Sequence, residues 1–190
     1  MNKSVLMALG AMGGAAIAVS LLAPAKAGGP YRNDSGSMLP LVAKGDLIHC
    51  AQQDGASLSY GDLVVYRLPS DNRKLWLKMV VGLAGDTVQM KGGVLWINGS
   101  AVPQRPAGAF TLPGAGGKTV PQYEETLPGN VKRLLLDSIP GSFLDDTAPY
   151  TVPEGHVFVI GSNRDNSVDS RLVQGHGPVP LANIVCKARV

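Results

Sequence analysis

Short apolar runs, each closed off by turn residues, are the feature that most limits how this chain can fold. Beyond residue 27 they follow one another with little helical periodicity. Residues 46–50, 63–67 and 75–83 each read as a strand bounded by glycine, aspartate or proline. Residues 87–90 and 94–97 flank Lys91-Gly92-Gly93, a glycine-containing hairpin loop, and Asn98-Gly99 marks another turn. Later strands are expected at 131–136, 156–160 and 184–190. Residues 100–129 are different, rich in proline, glycine and alanine with little periodicity, and are expected to form an irregular insert. The 24 glycines and 14 prolines among 190 residues suit many short strands and exclude a helical bundle or coiled coil.

Charge narrows the function classes. The net charge of +3 arises from 17 basic and 14 acidic residues, too balanced for a nucleic-acid footprint. Only 16% of residues are charged, against about 25% in an average soluble domain. Part of this deficit is local, because residues 4–24 contain no ionisable side chain and follow Lys3. That run has two readings. A secretory signal peptide has a basic start, an apolar middle and a small-residue exit, which Ala25-Lys26-Ala27 would supply. A membrane anchor needs roughly 20 apolar residues, and the run is just long enough. Either reading carries the rest of the chain out of the cytoplasm. There a disulfide between Cys50 and Cys186 is permitted, and two buried free thiols are the alternative. Two cysteines without a C-x-x-C spacing are a poor zinc signal.

Three clusters could carry chemistry. Ser35-Gly36-Ser37-Met38 joins two hydroxyls through a permissive glycine, so a hydroxyl and a backbone N–H can face one space; alone, it is most simply a turn. A nucleophilic serine needs a base. His49, His156 and His176 stand in no catalytic motif and read as ordinary surface or strand residues. Lys78 lies inside Leu75-Trp76-Leu77-Lys78-Met79-Val80-Val81, where strand alternation puts it on one face with Trp76 and Val80. Desolvation there would lower its pKa from about 10.4 toward the range of a useful base. A lysine snorkelling from a half-buried strand is the plain alternative. The run from Gly161 to Arg171 is dense in polar groups. It reads as an Asx-turn loop or as a platform in which Asp169 pairs with an arginine and Ser167 orients a neighbour. A calcium loop is opposed by Arg164 and Arg171.

Taken in order, Ser35-Gly36-Ser37-Met38-Leu39-Pro40, Lys44-Gly45-Asp46, Gly61-Asp62-Leu63-Val64-Val65, Lys78 to Asp86, and Asn163 to Arg171 resemble the boxes of bacterial type I signal peptidases. These are serine–lysine proteases of the secretion pathway. The resemblance implies a mainly β fold, a small signal-peptidase-like β-barrel or coiled antiparallel sheet with one N-terminal apolar helix. It implies that Ser37 is the nucleophile and Lys78 the general base. Ser35 and the Ser37 N–H would form the oxyanion hole, Ser167 would orient the lysine, and Asp169 and Arg171 would support the site. It further implies preprotein substrates cut after small residues of the Ala-x-Ala type and a bilayer as neighbour. A single-pass place in the cytoplasmic membrane would put the catalytic part on its outer face, with a soluble periplasmic enzyme as the alternative. No nucleic acid, cofactor or metal is expected, and a monomer is. The expected organisation is 1–27 as anchor or signal peptide, 28–98 and 151–190 as the two parts of a catalytic β domain, and 99–150 as a reduced accessory region.

Met79 stands where the family usually has arginine, Ala84 replaces a proline, Leu41 a threonine and Ser162 an aspartate. None of these removes a catalytic group, but they bear on substrate preference. A specialised peptidase for pilus or conjugation proteins shares these motifs. A self-cleaving serine–lysine repressor is disfavoured by the apolar N-terminus. A catalytically silent peptide-binding relative is the non-enzyme alternative.

Overall fold

The structure, a computed structural model, describes residues 30–51, 57–68 and 71–189. Among them, in chain order, run β1 (Tyr31–Arg32), β2 (Leu47–Ala51), β3 (Leu63–Leu68), β4 (Asp71–Gly82), β5 (Thr87–Lys91), β6 (Val94–Ile97) and β7 (Ser100–Ala101). They are followed by β8 (Gln104–Thr111), β9 (Thr119–Leu127), β10 (Val131–Leu136), β11 (Tyr150–Thr151), β12 (His156–Ile160), β13 (Val179–Pro180) and β14 (Ile184–Arg189). A seven-stranded sheet has the order β1-β2-β14-β3-β4-β12-β13, a four-stranded sheet β11-β5-β6-β7, and a three-stranded sheet β10-β9-β8. The pairings between these strands are antiparallel, as the mainly β expectation requires. The N-terminal segment 1–27, read as anchor or signal peptide, lies outside the described residues. Among the described residues no helix is long and apolar enough to cross a membrane.

The centre of the large sheet is buried on both faces. Leu63, Val65, Leu77, Met79, Val81, Phe158 and Ile160 fill one side, and Val64, Tyr66, Val80, Val157 and Val159 the other. This explains why β3, β4 and β12 read as continuous apolar runs instead of an alternation. Met79 is fully buried within this core. β4 also extends further toward its N-terminus than its apolar run, because pairing with β3 continues to Leu68 opposite Asp71.

The Gly-Asp dipeptides at 45–46, 61–62 and 85–86 share one construction. In each, the glycine has positive φ, between 79° and 101°. The aspartate N–H donates to the carbonyl three residues back, and its carboxylate accepts the N–H of that same residue. A positive φ at the third position is the type II turn requirement, which glycine meets without strain. These boxes therefore fix strand entry and exit and carry no chemistry of their own.

Residues 100–129 are not the irregular insert that their composition suggests. β8 and β9 form a long hairpin joined through Leu112 to Lys118. Pro106 lies on β8, the edge strand of its sheet, where a missing N–H is tolerated. A register shift between Pro106 and Ala109, with Gly108 at φ 101°, interrupts the alternation a strand would show. Val120 of β9 and Leu136 of β10 pack on Leu39, docking this sheet against the serine loop.

Cys50 and Cys186, left open between bonded and free by the sequence, are joined by a disulfide. It crosses the β2–β14 pair, with Cα atoms 5.4 Å apart, a separation that a disulfide spans readily.

Candidate active site

The loop after β1 carries Ser35 and Ser37 and is clamped from two sides. The Asn33 side-chain amide donates to Ser35 O and Ala43 O, both at 2.9 Å, and its Oδ1 accepts the Ser35 N–H. From the opposite side, Asn163 donates its Nδ2 to Gly36 O and its backbone N–H to Ser37 O, each at 3.0 Å. Met38 and Val42 anchor the loop in the core. Asn163 stood in one of the family boxes, but its grip on the serine loop, 127 residues away in the chain, did not show in the sequence, and Asn33 was not singled out there. Ser37 is left only 7% exposed.

β4 brings Lys78 to this serine. Val64 stands opposite Lys78 across the β3–β4 pair, and Tyr66 opposite Trp76. Lys78 thus shares a face with Trp76 and Val80, as alternation predicts. It is 2% exposed. Its Nζ lies 2.9 Å from Ser37 Oγ and 3.0 Å from Leu77 O. Burial lowers the Lys78 pKa to about 8, with Asp169 opposing the shift and Arg171 reinforcing it. Near pH 8 a substantial fraction of the amine is therefore neutral and able to accept a proton.

The polar run after β12 forms the floor. Asp169 accepts the Gly161 N–H at 2.9 Å and is gripped by Arg171 through Nε and Nη2, each at 2.9 Å. Burial alone would raise the Asp169 pKa, but the Arg171 charge and the bonds from Arg171 and Gly161 outweigh it and hold the carboxyl ionised. Arg171 also donates to Arg164 O at 2.7 Å, tying the loop to itself. Arg164, in the turn after β12, is buried and pairs with Glu125 of β9 at 2.5 Å, a tie that nothing in the sequence announced.

Two of the expected contacts differ. Ser167 does not bond Lys78: its Oγ is buried without a full hydrogen bond among the described residues. It lies near Asp169, where it helps hold the carboxylate ionised. Ser35 Oγ accepts the Ser37 N–H at 3.1 Å, so one of the two expected oxyanion donors is taken up by the oxygen of the other. Rotation of the Ser35 side chain would free the Ser37 N–H. His176 departs from the surface or strand reading as well. It is 8% exposed and bonded to Tyr66.

A cleft of about 900 Å³ opens onto Ser37 and Lys78. Ser35, Ile48, Trp76 and Asn166 are among its lining residues. On the far side of Asp165, the carboxylates of Asp137, Asp145 and Asp165 approach one another. Two of them are engaged in turns, Asp165 accepting from Ser138 and Ile139 and Asp145 from Ser142. Burial, then Asp145 and Asp165, push the Asp137 pKa up to about 6.

Comparison with known proteins gives a consistent picture. A family model described as signal peptidase, peptidase S26, matches residues 4–190. A signal peptidase I from Pseudomonas aeruginosa is 35% identical over 181 residues, covering 84% of this chain and 62% of that protein. One from Rickettsia prowazekii is 33% identical over 135 residues, covering 68% of this chain and 50% of the other. The chain thus spans about half to three-fifths of the length of these relatives. A crystal structure of a signal peptidase I from Enterococcus faecalis aligns with 24% identity and a TM-score of 0.42, over 70% of this chain and 97% of that one.

Proposed function

The chain belongs to the peptidase S26 family of signal peptidases, and on that premise we propose that it is a serine endopeptidase that removes signal peptides from exported preproteins. The observation that carries this reading is the buried 2.9 Å contact between Ser37 Oγ and Lys78 Nζ. Neutral Lys78 takes the Ser37 proton as Oγ attacks the scissile carbonyl. The resulting oxyanion accepts the Ser37 N–H and the hydroxyl of a rotated Ser35, donors of the kind that commonly supply the largest catalytic effect. The Lys78 ammonium then protonates the leaving amine as the C–N bond breaks. Water, deprotonated by Lys78, attacks the Ser37 ester, and the proton returns to Ser37 as the acyl group leaves.

Asp169, Arg171 and Ser167 support this pair from below. The substrate enters extended and pairs with a strand edge, with small side chains before the cut seated in shallow pockets of the cleft. Residues 1–27 hold the enzyme at the cytoplasmic membrane with its catalytic part on the outer face, near the signal segments of its substrates. Residues 28–98 and 151–190 form the catalytic part, and 99–150 a reduced accessory region.

The test is processing of a preprotein with an Ala-x-Ala site by the full chain. Ser37→Ala and Lys78→Ala are each expected to abolish cleavage while remaining folded. Normal turnover by either variant overturns the assignment.

A further inference from the structure

We infer that His176 is a positioning residue of this reaction, bracing Trp76 so that the indole face lies against the Lys78 amine where the ammonium forms. The inference rests on the Ser37–Lys78 reading above and adds a residue that the family boxes in this sequence do not include.

The His176 ring has one arrangement. Nδ1 lies 2.8 Å from Gly177 O, and a carbonyl can only accept, so Nδ1 carries the hydrogen. In the neutral ring Nε2 is then an acceptor, and Tyr66 OH donates to it at 2.6 Å. Burial, the largest influence, favours the neutral ring, and nearby Lys78 acts the same way; Gly177 O and Asp169 act against them. The Tyr66 hydroxyl is pushed strongly upward, by burial first and then by Asp169, and so keeps its proton to donate.

This clamped ring meets two aromatic neighbours edge to face. Its centroid lies 5.6 Å from Tyr66 at 79° and 5.7 Å from Trp76 at 83°, the T-shaped geometry that aromatic quadrupoles favour. Trp76 in turn presents its ring to Lys78, with Nζ 5.6 Å from the centroid. Trp76 Nε1 is buried with no hydrogen-bond partner among the described residues. The indole therefore has no polar anchor of its own, and its tilt is set by packing, with the His176 ring edge-on to it and the cluster of Val64, Tyr66 and Val80 beside it.

The consequence is differential. A π face does little for a neutral amine and stabilises an ammonium. Lys78 gains its charge as Ser37 attacks, so the contact strengthens when it is needed. The other groups facing Lys78 are Ser37 Oγ, Leu77 O, Asp169 and Arg171. Asp169 favours the ammonium but is neutralised by Arg171, which leaves the indole a distinct part to play.

The experiment uses the full chain and follows preprotein cleavage across pH in Tyr66→Phe, which removes only the hydroxyl, and in His176→Phe, which keeps a ring without its bonds. At the high-pH plateau kcat should fall about 3- to 10-fold with KM unchanged, and the acid limb should move about half a pH unit lower, since the ammonium is less favoured. Trp76→Leu should do the same, and the His176→Phe/Trp76→Leu double variant should be no slower than Trp76→Leu. Unmoved kcat and acid limb in the Tyr66 and His176 variants, with only a lower melting temperature, overturn the inference. So do effects that multiply with Trp76→Leu. Both outcomes leave the dyad reading standing if Ser37→Ala is inactive; an active Ser37→Ala overturns both.

Discussion

At the scale of single residues, the amine of Lys78 sets the pH at which the proposed site can act. Its pKa is lowered by burial to about 8. Below that value the amine is protonated and cannot take the serine proton; above it the amine is free. Cleavage rates should therefore rise about tenfold per pH unit up to a bend near 8 and level off beyond it. A rate profile flat between pH 6 and 9 counts against Lys78 as the base. The face this residue shares with Trp76 and Val80 was legible in the sequence from strand alternation, whereas its burial was not, since a snorkelling lysine read equally well there. The orientation of its neighbours was not legible either. Whether Ser167 reaches Lys78 or sits beside Asp169, and whether Ser35 points at the cleft or at the Ser37 N–H, depends on rotamers. Residue type and spacing do not fix rotamers. His176 was read as an ordinary surface or strand residue for a related reason: its partners Tyr66 and Trp76 lie about a hundred residues earlier in the chain.

At the scale of elements, runs such as Val157 to Ile160 announced themselves because both of their faces are apolar. β8 did not, since it is an edge strand with an interior proline, a bulge and intermittent burial. Its strand character comes from pairing with β9 more than from its own side chains. The junction after β12 is the most constrained element end near the site. A Cβ on Gly161 would lie 2.6 Å from Ser37 O and would also collide with the Ser167 side chain. Gly161→Ala should therefore push the serine loop off the end of β12 and lower kcat by about 10²-fold, the scale expected for a small misplacement of reacting groups. The fall should exceed what loss of stability alone explains, as judged by activity measured well below the melting temperature. Unchanged kcat would mean that the loop tolerates the displacement.

At the scale of the whole molecule, the three-stranded sheet is tied to the serine loop through the Leu39 cluster and to the turn after β12 through the Glu125–Arg164 pair, whose side chains are each 1% exposed. Removing one charge strands the other in a low-dielectric interior. Glu125→Leu should cost about 3–5 kcal/mol of stability. Urea unfolding measures this, and a cost below about 1 kcal/mol would mean that water reaches Arg164. The disulfide acts over the same range. Cys50 and Cys186 are 136 residues apart, and Lys78, Ser167, Asp169, Arg171 and His176 all fall between them. That stretch is a closed covalent ring with the two ends of the chain as tails. A single cut in the ring, for which the exposed tip at residues 113–118 of the β8–β9 hairpin is the natural place, opens it without separating the pieces. Limited proteolysis should give a nicked protein that runs as one band without reductant and as two with it, and separation of the pieces without reductant would contradict this. A chain closed in this way keeps Lys78, Ser167, Asp169, Arg171 and His176 within one covalent unit even after a single cut in the ring.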